Sequence, residues 1–143
     1  MTYKHKIYLA AFLVFCAFIA WFFYQNSQTN KNIKTSDDAL VSIHIPQDLS
    51  AKALQGKAAF DANCAQCHGE HAVGRNGQGP PLIHKIYEPN HHGDMAFYRA
   101  AFMGVVSHHW KFGNMPKIEG ISEQEVALII DYIRTLQRAN EIF

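Results

Sequence analysis

Cysteine is scarce in this sequence, with three residues in 143, and so is net charge, with 13 Lys plus Arg against 12 Asp plus Glu. Three thiols allow at most one disulfide with one left over. From Leu40 onward nine basic residues face ten acidic ones, which leaves no positive field for nucleic acid. Internal repeats are absent as well. At 48% hydrophobic and 13% aromatic the chain has the material for a core, so disorder is excluded and one modest domain with accessory segments is expected.

The hydrophobic residues are unevenly spread. Ile7 to Tyr24 runs without a charge, a length within the range for a membrane-spanning helix. A secretory signal peptide would use Lys4 and Lys6 as its basic start, but the small-residue cleavage site is missing. A cut after Ala20 would put Phe18 at the −3 position. Phe15 before Cys16 is likewise too large for a lipoprotein signal. The run ends in Trp21, Phe22, Phe23 and Tyr24, an aromatic belt suited to a membrane interface. The expectation is therefore an uncleaved anchor over residues 7–24. Lys4 and Lys6 lie hard against it, whereas the far flank is uncharged as far as Asn30, so residues 1–6 are expected in the cytoplasm and the remainder outside.

Gln25 to Asp38 is rich in Asn, Gln, Ser, Thr, Lys and Asp, and reads as a linker. Leu40 to Ile45 then reads as a short extended stretch stopped by Pro46. With the linker taken as residues 25–48, a flexible coil would span on the order of 25 to 30 Å. The folded domain is expected over residues 49–143.

Two of the three cysteines form C-A-Q-C-H at Cys64 to His68. Two thiols at this spacing can each add to a haem vinyl group, and the following His68 is then placed to put an imidazole nitrogen on the iron. A thioredoxin-like redox pair would need a preceding strand in a βαβ context, and a zinc site would need a second Cys pair or spaced histidines; neither follows. One covalent haem c is thus expected. For the opposite face of the iron, Met115 in G-N-M-P is the candidate, its thioether favouring reduced iron and Pro116 stiffening its loop. Met95 and Met103 sit in an apolar helical pattern and read as core gap-fillers.

With these motifs in hand, Leu49 to Leu136 resembles the class I cytochrome c family. The segment G-K-A-A-F-D-A-N-C-A-Q-C-H-G resembles its first helix running into the haem site, with Gly56 and Phe60 on one face. In the family that face crosses the C-terminal helix. Here that last helix also reads directly: Ser122 and Glu125 make a capping box, and Val126, Ile129, Ile130, Ile133 and Leu136 form an apolar stripe. Tyr132 is similar in position to the family's C-terminal aromatic. G-Q-G-P-P-L at Gly77 to Leu82 resembles the family's ligand-supporting loop, which implies that the Pro80 carbonyl accepts a hydrogen bond from His68. Asp94 to Val105 reads as a middle helix with Asp94 as N-cap and Met95, Tyr98, Phe102 and Val105 on one face.

The fold class expected is all-α: a small class I cytochrome c fold, its terminal helices crossing and loops plus a middle helix wrapping the haem, behind one transmembrane helix. The function expected is that of a one-electron carrier rather than an enzyme, with His68 and Met115 filling both axial sites. It would sit on the periplasmic side of a bacterial inner membrane. Its partners would be redox proteins, either membrane respiratory complexes or periplasmic donors, with no small-molecule substrate. A haem-based sensor and an accessory haem protein of metal handling are the alternatives. The pairs His91/His92 and His108/His109 read as partly exposed loop residues, because adjacent side chains in extended backbone point apart. Axial ligation by His108 or His109 and a surface copper or zinc site are their sharper alternatives. Trp110 could pack on the haem edge or donate to a propionate, and Arg99 could pair with a propionate.

Overall fold

The computed structural model describes residues 12–21 and 37–143. The chain forms two units, Met1–Lys31 and Asn32–Phe143. In the first, residues 12–21 form helix α1. Among the described residues no helix is long and apolar enough to cross a membrane. The expected span from Ile7 to Tyr24 lies partly outside the described residues, as do its basic flank at Lys4 and Lys6 and the linker as far as residue 36.

The second unit is helical, with no strand among the described residues and only two isolated β-bridges. Its helices are α2 (Ala51–Asn63), the single turn α3 (Ala65–His68), α4 (Asp94–Met103) and α5 (Glu123–Ala139). Ser50 starts α2 by accepting from the Ala53 N–H. The capping box at the start of α5 is formed as expected: the Ser122 hydroxyl accepts from the Glu125 N–H, and the Glu125 carboxylate from the Ser122 N–H.

Helices α2 and α5 cross, each burying the apolar side that the other lacks a partner for. Phe60 and Tyr132 are fully buried, their ring centroids 5.8 Å apart. The approach is so close that a Cβ on Gly56 would stand 2.1 Å from the Leu128 carbonyl oxygen. Val126, Ile129, Ile130, Ile133 and Leu136 are all buried, so the stripe on α5 is the core face.

Two elements differ from expectation. Helix α4 ends at Met103 because Gly104 leaves the helix at φ +76°, and Gly93 rather than Asp94 is its N-cap. The Asp94 carboxylate accepts instead from Arg134 Nε at 2.9 Å. The inward face of α4 is Ala101, which is buried, with Phe97 and Tyr98 half-buried against the core, whereas Met95 and Met103 are 62% and 77% exposed and so are not core gap-fillers. Residues 38–45 are the second difference. Instead of hanging free they strap the domain. The Leu40 and Val41 N–H groups donate to Val73 O, Ile43 is buried, and His44 exchanges backbone hydrogen bonds with the Asn140 side chain. An alternating apolar pattern, Val41, Ile43 and Ile45, supplies the inward side chains.

Candidate functional site

Helix α2 stops at Cys64, whose backbone (φ −123°, ψ −32°) breaks the helical run before α3 restarts it for one turn. That break turns His68 inward, where it is 8% exposed, and leaves Cys64 half-buried and Cys67 exposed. After His68 the chain reverses through a tight turn in which Gly74 N–H donates to the His68 carbonyl at 2.7 Å.

His68 Nδ1 lies 2.9 Å from the Pro80 carbonyl oxygen. A carbonyl can only accept, so Nδ1 carries the proton and Nε2 keeps its lone pair. Burial pushes the His68 pKa below its ordinary value, with the Pro80 bond opposing in part, so the imidazole is neutral. Burial, assisted by the neighbouring Cys67 thiol, pushes Cys64 up to about 12. A raised pKa keeps Cys64 protonated, so it is not an activated thiolate.

Cys64, His68, Pro80 and Met115 line one cavity of about 560 Å³, a size ordinary for a cofactor site. Its floor is the apolar face of α5, with Val126, Ile129 and Ile133, and one wall is the Ala100 and Ala101 face of α4. Cys67 does not line the cavity. Met115 is held there by a two-way backbone bridge, Val105 N–H to Met115 O at 2.9 Å and Met115 N–H to Val105 O at 3.0 Å. Gly104 permits it: a Cβ at that position would stand 2.6 Å from the Met115 carbonyl oxygen.

Trp110 also lines the cavity. Its indole N–H is buried without a well-formed hydrogen bond, a costly state for a polar group. The Tyr87 hydroxyl is coupled to it, which slightly offsets the upward push of burial on Tyr87, but not with hydrogen-bond geometry. A buried donor without a full partner, on a residue that lines an apolar cavity, fits a large ligand carrying acceptor groups at its edge. Arg99 lines the cavity as well, although it is exposed.

The sequence pattern did not disclose Arg134. It sits on α5 at 7% exposure and donates to the Asp94 carboxylate, to the Tyr87 and His92 carbonyls, and to Gln137 Oε1. Gln137 Nε2 in turn donates to the Leu82 and Tyr87 carbonyls. The network ties the loop over the cavity to α5. Losing the Arg134 guanidinium would leave the His92 carbonyl without this donor, at a cost of about 1–3 kcal/mol if it stays buried. An arginine in an otherwise apolar stripe was the available signal.

The two histidine pairs do not behave as isolated loop residues. His91, His92, His108 and His109 all line the mouth of the cavity, and ring nitrogens of His91, His92 and His109 lie within 4.8 Å of one another. His109 is held below its ordinary pKa by desolvation and by the like charge of His108, His92 and His91.

The family model for cytochrome c matches residues 53–137, more than half of the chain. The chain belongs to the cytochrome c family. Comparison with curated proteins and with solved structures gives no match. Membership makes this cytochrome a haem-binding electron carrier with haem c and its iron as cofactor, and the mostly helical domain agrees with the small all-α fold of the family. The residues present fit that group: a neutral buried imidazole with a free nitrogen, an apolar cavity of suitable volume and an unsatisfied donor at its rim.

Proposed function

We propose that the chain is a membrane-anchored, single-haem electron carrier in which Cys64 and Cys67 hold the haem covalently and His68 and Met115 ligate its iron. The observation that carries this reading is the His68 imidazole. Its Nδ1 is fixed by the Pro80 carbonyl, so its Nε2 faces the cavity that Met115 also lines. Each thiol would add across a haem vinyl group, S–H to the double bond, giving a thioether with no leaving group. The haem supplies one-electron chemistry at its iron. The chain's residues exclude water through the α4 and α5 walls and hold the imidazole in one tautomer, and His68 and Met115 would hold the iron. With both ligands supplied by the chain, no site on the iron would be left for a substrate, which supports a carrier rather than an enzyme.

The uncharged run from Ile7 to Tyr24 supports a tether with the haem domain outside the cytoplasm, in the periplasm of a bacterium. Partners are then redox proteins of the membrane or periplasm, because a tethered carrier gains effective concentration beside membrane complexes. Separating membranes from the soluble fraction of expressing cells, with alkaline washing, tests the tether: the full chain stays with the membranes, and removal of residues 1–24 releases it.

Met115 ligation has its own test. The oxidised protein shows a methionine-to-iron charge-transfer band in the far red, and the reduced protein ignores carbon monoxide. Met115→Ala loses the band and gains carbon monoxide binding. A wild-type protein that binds carbon monoxide readily would instead support a sensor with an open iron site.

A further inference from the structure

Two loops that are distant in sequence meet at the mouth of the haem cavity, and each brings a pair of histidines. Residues 88–92 form a turn in which Glu88 O accepts from the His91 and His92 N–H groups, and Arg134 clamps the His92 carbonyl at 2.6 Å. Residues 106–114 form the second loop. The Val105–Met115 bridge closes its base, and Ser107 N–H donates to Asn114 Oδ1 at 2.9 Å. His91 and His92 bring two nitrogens to the gap from one turn, and across it His91 Nε2 and His109 Nε2 stand 3.4 Å apart.

We propose that His91, His92 and His109 form a second metal site, for a divalent late transition ion of the zinc or copper(II) type, separate from the haem iron. Three features support it. Two nitrogens bound at about 2.0–2.1 Å in a tetrahedral arrangement are about 3.3–3.4 Å apart, which matches the His91–His109 separation. His92 Nδ1 donates to the Ile86 carbonyl at 2.6 Å, leaving Nε2 as the nitrogen with a lone pair. This is the backbone support that orients a metal-ligating imidazole. The donor set is also all imidazole, which suits zinc and copper(II) and is poor for calcium or magnesium.

His108 stands beside the group, with its ring centroid 4.3 Å from that of His109 and its Nδ1 donating to Val106 O at 2.9 Å. It stacks on His92 with centroids 6.1 Å apart but is outside the three residues whose nitrogens converge, so water would complete a four-coordinate ion. A bound ion would tie the turn at 88–92 to the loop that ends at Met115. The site thus rests on the proposed haem arrangement only for its consequence, not for its chemistry.

The test is calorimetric titration of zinc chloride into the haem-loaded full chain, with haem content read independently from its absorbance. The expected result is one equivalent bound, with affinity reduced about tenfold or more in each of His91→Ala, His92→Ala and His109→Ala. His44→Gln on the N-terminal strap should leave binding unchanged. Copper(II) should give an electron spin resonance spectrum whose nitrogen hyperfine structure reports three imidazoles and loses one nitrogen in His109→Ala. Absence of stoichiometric zinc binding to a haem-replete protein would overturn the proposal, as would binding indifferent to His91→Ala and His109→Ala. A shift of the haem potential in these variants without any zinc binding would also overturn it, and would give the cluster to the haem propionates.

Discussion

At the scale of single residues, the haem-facing groups are set by local chain geometry, and that is why they were legible. Cys64, Cys67 and His68 sit within about one helical turn, so spacing brings them together, whereas Pro80 was legible only through the resemblance of its loop to the family's. The histidine cluster was illegible for the opposite reason. Its members come from turns 17 residues apart, and a pair of adjacent histidines carries no information about the pair it will meet. Asp94 was misread as a cap because the competing partner, Arg134, lies 40 residues downstream. His71 yields a prediction at this scale. It adopts φ +55° after the haem motif and its Nδ1 is hydrogen-bonded to the Tyr132 hydroxyl at 2.8 Å. Burial holds its pKa below the ordinary 6.5, with Glu70 partly opposing. A depressed pKa means that the unfolded chain takes up the proton more readily, so this contribution is fully present above pH 6.5 and fades as pH falls below it. His71→Asn keeps a residue tolerant of positive φ and removes the titration. Denaturant midpoints measured from about pH 7.5 to about pH 5 should fall less steeply for the variant than for the wild type; equal slopes would show that His71 contributes nothing.

At the scale of elements, α2 and α5 were readable because each declares its ends and its face. Ser50 and the Ser122/Glu125 box cap them, and the α5 stripe is regular. Helix α4 was readable as a helix but not as a surface. Periodicity pointed to Met95, Tyr98, Phe102 and Val105; Tyr98 does pack on the core, but Met95 and Phe102 are exposed and the packing uses Phe97 and Ala101 beside the cavity. The crossing of α2 on α5 makes a sharp prediction. Gly56→Ala would gain about 1 kcal/mol of helix propensity. The new Cβ would meet the Leu128 carbonyl at 2.1 Å and Tyr132 Cβ at 2.9 Å, and neither is a flexible side-chain end. Overpacking against backbone outweighs propensity, so the variant should be less stable by about 2–3 kcal/mol, or about 10–20 °C in Tm. Thermal melts followed by far-ultraviolet circular dichroism measure this, and an unchanged or raised Tm would contradict the close crossing.

At the scale of the whole molecule, the helical class of the domain was legible in the sequence, whereas the packing of residues 38–45 against it was not. The strap at 38–45 carries polar and apolar residues in alternation, which reads equally as linker or edge, and only its contacts with Val73 and Asn140 decide. The domain therefore needs its residues from about Asp38 onward, and truncations should respect that limit. What organises the domain is a cavity lined by Cys64, His68, Pro80 and Met115 and walled by α4 and α5, and covalent attachment of haem at Cys64 and Cys67 is the central proposal made for it. The direct test is haem staining after denaturing electrophoresis of the chain expressed with haem-ligation machinery. The account predicts a haem signal that stays with the polypeptide and is lost in the Cys64→Ser/Cys67→Ser double variant; a wild-type chain without stain, or a double variant that keeps it, would contradict covalent attachment at these two residues.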